Sequence, residues 1–138
     1  MPACGNCFRW QLLAKYMEHP ENFLVVSSDF CHWGRRFSFT WSNPKLTAIH
    51  KSIESLDYMG MELIEAGDPA GFTAYLAQFG NTICGRHPIG VLLALLAARG
   101  SGTHVTKFVK YEQSSQCKKP TDSSVSYASA VVFARAGR

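Results

Sequence analysis

Phe23-Leu24-Val25-Val26-Ser27-Ser28-Asp29-Phe30-Cys31-His32-Trp33-Gly34 is the stretch on which the reading of this chain turns. Phe23 to Val26 is a short apolar run with two β-branched residues, the pattern of a buried strand. It gives way abruptly to Ser27, Ser28 and Asp29, and His32 follows just before a glycine turn. In open α/β sheets ligands sit beyond the carboxyl ends of the strands, so Asp29 and His32 are placed to share one pocket. Asp29 can accept a hydrogen bond, and His32 can bind a metal through a neutral ring nitrogen or move a proton near neutral pH. The same residues also fit a turn-capping Asp and a His packed beside Trp33.

Further along, Thr82-Ile83-Cys84-Gly85-Arg86-His87-Pro88-Ile89-Gly90 runs into a strongly apolar segment. Cys84 lies just ahead of a predicted helix start, next to Arg86 and His87. A helix N-terminus and a neighbouring cation both favour thiolate over thiol, which makes a sulfur a better ligand or nucleophile. Arg86 is also placed to hold an anion at that helix start. A buried, inert Cys84 with Arg86 satisfying loop carbonyls fits the spacing equally well.

The totals bound the rest. At 138 residues the chain is most simply one domain, able to bury roughly two-thirds of its unfolded surface. With 46% hydrophobic and 17% charged residues it has a globular composition. The net charge of +4 is scattered, with Arg35-Arg36 and Lys118-Lys119 as the basic pairs, which argues against a nucleic-acid face. The longest apolar stretch, Ile89 to Ala98, falls well short of the roughly 20 residues that span a membrane. Met1 to Lys15 lacks the pattern of a secretory signal. An odd count of five cysteines then points to free thiols in a reducing compartment, the cytoplasm.

Taken in order, Met1 to Phe8 reads as an irregular extension (1–8) whose Cys4-Gly5-Asn6-Cys7 has metal or redox spacing but no second pair. Arg9 to Met17 has helical spacing and ends at His19-Pro20. His19, His50 and His104 are expected at the surface. The loop from Asp29 to Asn43 carries Trp33, Phe37, Phe39 and Trp41, which suit either a pocket wall or anchors into the core. From about Leu46 a helix presents Ile49, Ile53, Leu56, Gly60, Leu63 and Ile64 on one face, with Met59 and Met61 as packing. Gly67 ends it. Asp68-Pro69 caps a second helix lined by Phe72, Tyr75, Leu76 and Phe79. A third, about Pro88 to Arg99, is apolar nearly all round and therefore buried on most sides. Thr103 to Gln113 and Val125 to Phe133 read as strands. The expected fold is mixed α/β, about three strands and four helices, over 9–134, with a tail at 135–138.

Several of these stretches together resemble the Memo family (mediator of ErbB-receptor-driven cell motility). The matching motifs are Val25 to Gly34, Ser52-Ile53-Glu54, Asp57, Met59-Gly60-Met61, Thr82 to Gly90, Gln113-Ser114-Ser115-Gln116-Cys117 and Asp122 to Ala128. They keep their order from about Trp10 to about Val132. The resemblance implies the α/β sandwich of class III extradiol dioxygenases, here a partial three-layer sandwich. It implies a pocket in which His32 and Cys84 match metal-holding positions and Asp29 the neighbouring acid. Arg86 and His87 would stand behind them. Copper or iron is the metal associated with the family; a cysteine in place of a carboxylate argues against ring cleavage and for a softer cation.

Family members are about twice this length, and the amino-terminal half carries two more pocket histidines, in motifs resembling A-P-H-A-G-Y and G-P-S-H-H that this chain lacks. The expectation is half of a metal pocket, without catalysis of its own, and an open sheet edge and apolar patch covered by the missing half or another chain. Two alternatives follow from the same resemblance. One is an adaptor for phosphotyrosine peptides or cytoskeletal proteins; the other is a nonhaem-metal oxidoreductase of the dioxygenase kind.

Overall fold

The computed structural model describes residues 13–17, 19, 21–100 and 102–135. Cys4, Cys7, the extension 1–8 and residues 136–138 of the tail lie outside the described residues, and of the first helix only 13–17, which are helical, lie within them. Three longer helices follow, α1 (Ile49–Ala66), α2 (Pro69–Phe79) and α3 (Arg86–Ala98), with strands β1 (His32–Trp33), β2 (His104–Gln113) and β3 (Ser124–Ala134) and a 3-10 turn at Arg35–Phe37. The architecture is α/β. The three strands form an antiparallel sheet in the order β1-β3-β2. Helix α1 packs on β2, α2 on α1, and α3 on α2.

The helices form where the apolar spacing places them. In α1 the buried residues include Ile53, Leu56, Gly60, Met61 and Ile64, the stripe that faces the core. Gly67, at φ 66°, closes the helix in the left-handed region, where a glycine has no Cβ to clash. Asp68 then starts α2 by accepting the Gly71 N–H at 2.8 Å, and Pro69 occupies the first helical position. Asp68→Ala is expected to cost about 1 kcal/mol, read as a lower urea midpoint; an unchanged midpoint would mean that the cap does not stabilise α2. Helix α3 buries Ile89, Leu93, Leu95 and Leu96. It begins at Arg86, two residues before the expected start, because the proline at position 88 still lies in the first turn, where no N–H partner is needed.

Three sequence expectations are corrected. Phe23 to Val26 is not a buried strand: it carries no ladder pairing, and Phe23 and Val25 are 90% and 74% exposed. The strand lies further on, at His32–Trp33, and runs antiparallel to β3, so a rule built on parallel sheets does not locate the site here. An apolar run predicts burial only where an element covers it, and of these four residues only Val26 is packed against the core. His50 is not solvent-facing, since its Nδ1 is buried without a hydrogen-bond partner. His104 is half-buried rather than exposed, and desolvation, then the charge of Arg99, holds its imidazole below the ordinary range.

The aromatic loop divides between its two readings. Trp33 is in the core and donates Nε1–H to the Trp41 carbonyl at 2.8 Å. Phe39 and Trp41 pack against the same core. Phe37 instead stands edge-on to the His32 ring, centroids 5.3 Å apart. No helix among the described residues is long and apolar enough to cross a membrane.

Candidate functional site

The two stretches singled out in the sequence, far apart along the chain, lie side by side. The Asp29 N–H donates to Cys84 Sγ at 3.1 Å. Gly85 N–H donates to Ser28 Oγ at 3.0 Å, and that hydroxyl donates to the Asp29 carbonyl at 2.8 Å. The His32 N–H donates to Thr82 Oγ1 at 2.7 Å, and the same hydroxyl donates back to the His32 carbonyl at 3.1 Å. Closeness at this seam depends on Gly85: a Cβ there would lie 2.3 Å from Ser28 Cβ and 2.8 Å from the Ser27 carbonyl.

This lacing orients the imidazole. His32 Nδ1 lies 3.0 Å from two carbonyl oxygens, those of Phe30 and Thr82. Carbonyls only accept, so Nδ1 carries the hydrogen and the Nε2 lone pair is left free. Nε2 faces Asp29 Oδ2 at 3.8 Å, with the His32 side chain 22% and the Asp29 side chain 45% exposed. Cys84 is an exposed free thiol, two residues ahead of α3. Asp29 thus stands between the other two, its backbone N–H on the exposed Cys84 sulfur and its carboxylate facing the His32 imidazole.

Arg86 and His87 are less involved. Both are exposed, and Arg86 donates Nη1–H to the Ile83 carbonyl at 3.3 Å, so it serves the loop rather than facing the thiol. Among the described residues no group of three or more His, Cys, Asp or Glu side chains is gathered as a metal site. The donors present suit a soft or borderline cation in kind. Among the described residues, the two strong donors His32 and Cys84 are fewer than the three protein ligands typical of an open metal site.

Beneath the seam lies a buried polar cluster to which the sequence reading assigned no role. Asp57, from α1, is fully buried. Its Oδ1 accepts the Cys31 N–H at 3.3 Å and an Asn81 Nδ2–H at 3.0 Å, and its Oδ2 accepts the Tyr111 O–H at 2.9 Å. Asn81 gives its other Nδ2–H to the Tyr75 hydroxyl at 2.7 Å, and that hydroxyl donates to the Leu56 carbonyl at 2.9 Å. Ser126 Oγ lies 3.2 Å from the Tyr111 oxygen. Burial pushes the Asp57 carboxyl above its ordinary value, although hydrogen bonds from Ser126, Asn81, Tyr111 and Cys31 pull the other way. Burial likewise pushes the Cys31 thiol and the Tyr75 and Tyr111 hydroxyls up, with the charge of Asp57 adding to each.

The backbone beside this cluster is irregular. Phe30 N–H donates to the Ser126 carbonyl at 2.8 Å, while Ser126 N–H donates to the Cys31 carbonyl at 2.9 Å. Two residues thus share one partner, the count of a β-bulge, and the Cys31 N–H turns to Asp57. A signal for Asp57 was present in the sequence: it lies four residues after Ile53 and three before Gly60, on the apolar face of its helix. A carboxylate on that stripe must find buried partners.

Comparison with known proteins agrees with the motifs. The rat and human proteins named Protein MEMO1 are each 52% identical to this chain over 120 residues, covering 86% of it and 40% of their own length. The Caenorhabditis elegans Protein memo-1 homolog is 46% identical over 135 residues, 94% of this chain and 37% of its own. The chain therefore spans about 40% of the length of the MEMO1 relatives it matches. The family model described as Memo-like protein matches residues 9–131, and the chain belongs to the Memo-like family.

Proposed function

We propose that this chain supplies half of a redox-metal pocket, with His32 Nε2 and Cys84 Sγ as its two metal donors and Asp29 beside them. The supporting observation is the orientation of His32: two carbonyls hold its Nδ1–H, so Nε2 is the free lone pair, and Asp29 ties it to the exposed Cys84 sulfur. Copper(I) or iron(II) fits a nitrogen–sulfur pair, and when bound would supply redox chemistry. The groups that would complete the coordination come from polypeptide this chain does not contain, so catalysis is not assigned to it alone. Cys31, Cys84 and Cys117 are free thiols, and a reducing cytoplasm is the setting we propose for them.

Copper(I) affinity, measured by competition with a chromogenic chelator, tests this reading. His32→Ala and Cys84→Ser are each expected to weaken binding by about tenfold or more. Equal affinity in wild type and both variants would reject the pair as ligands.

A second reading concerns the partner and is favoured by exposed apolar surface. A groove of about 650 Å³ runs between residues such as Phe23, Val26, Ile89, Leu92, Val131 and Phe133. Phe23 and Phe133, which line it, are more than half exposed, and an exposed apolar groove of this kind marks an interaction site. We propose that it is covered by polypeptide corresponding to the part of the relatives that this chain does not span. Co-expression with the remaining portion of the human relative is expected to give a one-to-one complex that binds less of an apolar-surface dye. Recovery of two separate species with undiminished dye binding would dismiss this partner.

A further inference from the structure

We infer that Asp57 is a positioning residue that sets the spacing between the His32 imidazole and the Cys84 sulfur. The inference rests on the His32–Cys84 reading above and deepens it. What carries it is a convergence on one carboxylate oxygen. Asp57 Oδ1 accepts the N–H of Cys31, the residue before His32, and the side-chain N–H of Asn81, three residues before Cys84. Both site segments therefore take their position from the same atom, on a helix that gives no side chain to the site itself.

The contacts between the two segments at the surface are partly open to water, which can substitute for a strained hydrogen bond there. Asp57 and Asn81 are buried, so water does not replace their bonds, and a shift of the carboxylate is passed to both segments. Each partner is held in turn. Tyr111 fixes Oδ2, and Gln113 Nε2–H donates to the Tyr111 hydroxyl at 2.9 Å. Tyr75 fixes Asn81, whose orientation has no good alternative, since the flipped amide would set its oxygen against the carboxylate. The bulge at Phe30 and Cys31 is what frees the Cys31 N–H for Asp57. A purely structural role would lower stability and leave the site of the folded protein unchanged. A positioning role changes the site while the protein is still folded.

The test uses the full chain with Cys4 and Cys7 replaced by serine, so that Cys84 is the accessible reporting thiol. Asp57→Asn keeps one oxygen for Cys31 and Asn81 and changes the group that meets Tyr111. At a temperature where circular dichroism shows the variant folded, three readouts are compared with wild type. These are the rate of Cys84 alkylation by iodoacetamide at one pH, the ring nitrogen NMR shifts of His32, and copper(I) affinity. Asp57→Asn is expected to change the alkylation rate severalfold, move the His32 ring resonances, and weaken copper(I) by about tenfold.

Unchanged values in all three, with His32→Ala and Cys84→Ser still impaired, would overturn the positioning role and leave the metal reading standing. Should neither ligand variant affect copper(I), the metal reading fails, and the alkylation rate and ring resonances alone decide for or against Asp57. If Asp57→Asn does not fold, Tyr111→Phe takes its place, removing the donor to Oδ2 together with the acceptor of Gln113 and the neighbour of Ser126. It is expected to move the His32 resonances and the alkylation rate, and no change in either would overturn the inference.

Discussion

Asp57→Ala is expected to destabilise the domain by about 3–5 kcal/mol, a large share of the roughly 5–15 kcal/mol that holds such a domain folded. The substitution leaves the Cys31 N–H, an Asn81 N–H and the Tyr111 O–H without their acceptor in a site closed to water. Each unmet buried donor costs about 1–3 kcal/mol. The total is offset in part because a carboxyl no longer has to be buried. Asp57→Asn should cost less, about 1–2 kcal/mol, because one oxygen remains and Tyr111 can turn its hydroxyl to Ser126. Urea midpoints of the two variants check the ordering; an alanine variant as stable as wild type would remove Asp57 from the set of structural anchors. The pH dependence has a definite sign. The folded-state value of Asp57 lies above its ordinary 3.8, because burial disfavours the charge. The folded form is then the better proton binder, so this contribution to stability is complete below 3.8 and is lost as pH rises through the raised folded value. Asp57→Asn should flatten stability against pH over that window.

Gly85→Ala should produce the second large effect, and at the site rather than in the core. The added methyl would meet Ser28 Cβ at 2.3 Å, Ser28 Oγ at 2.5 Å and the Ser27 carbonyl at 2.8 Å. Turning the serine side chain relieves only the hydroxyl, so the backbones of the two segments must separate. Overpacking of this kind costs about 1–3 kcal/mol. The separation also strains the Gly85 N–H bond to Ser28 and the Asp29 N–H bond to Cys84. Copper(I) affinity is expected to fall by about tenfold or more, since a displacement near an ångström is enough to misplace a ligand pair. Gly90→Ala provides the comparison: nothing lies within 4 Å of the added methyl, and alanine favours a helix interior by up to about 1 kcal/mol. It should leave metal affinity unchanged and raise stability. Equal behaviour of the two variants would mean that close approach at Gly85 has no part in forming the site.

Much of this architecture was legible in the order of residues. The stripe from Ile53 to Ile64, the Gly67 stop and the Asp68-Pro69 start gave α1 and α2 because helix periodicity and capping are local properties. The alternation around Val105 to Gln113 and Val125 to Phe133 gave β2 and β3 for the same reason. The family was readable because its motifs are many and ordered. His32, Cys84 and Asp29 were readable as candidates through residue type and resemblance.

Other features depended on which segments meet. Phe23 to Val26 has a strand's composition, yet burial requires a neighbour: Phe23, Leu24 and Val25 stand open, and Val26 alone of the four packs against the core. The tautomer of His32 is set by the carbonyls of Phe30 and Thr82, and the second of these is far away along the chain. Asp57 looked like one motif residue among many until its acceptors were seen to hold Cys31, Asn81 and Tyr111 together. Sequence by itself determined the family, the helices, two strands and the kinds of donor atom. Tertiary structure alone decided which segments meet, which His32 nitrogen faces the carbonyls and which groups Asp57 accepts from, because hydrogen bonds and burial are fixed by distances between segments that spacing along a chain does not encode.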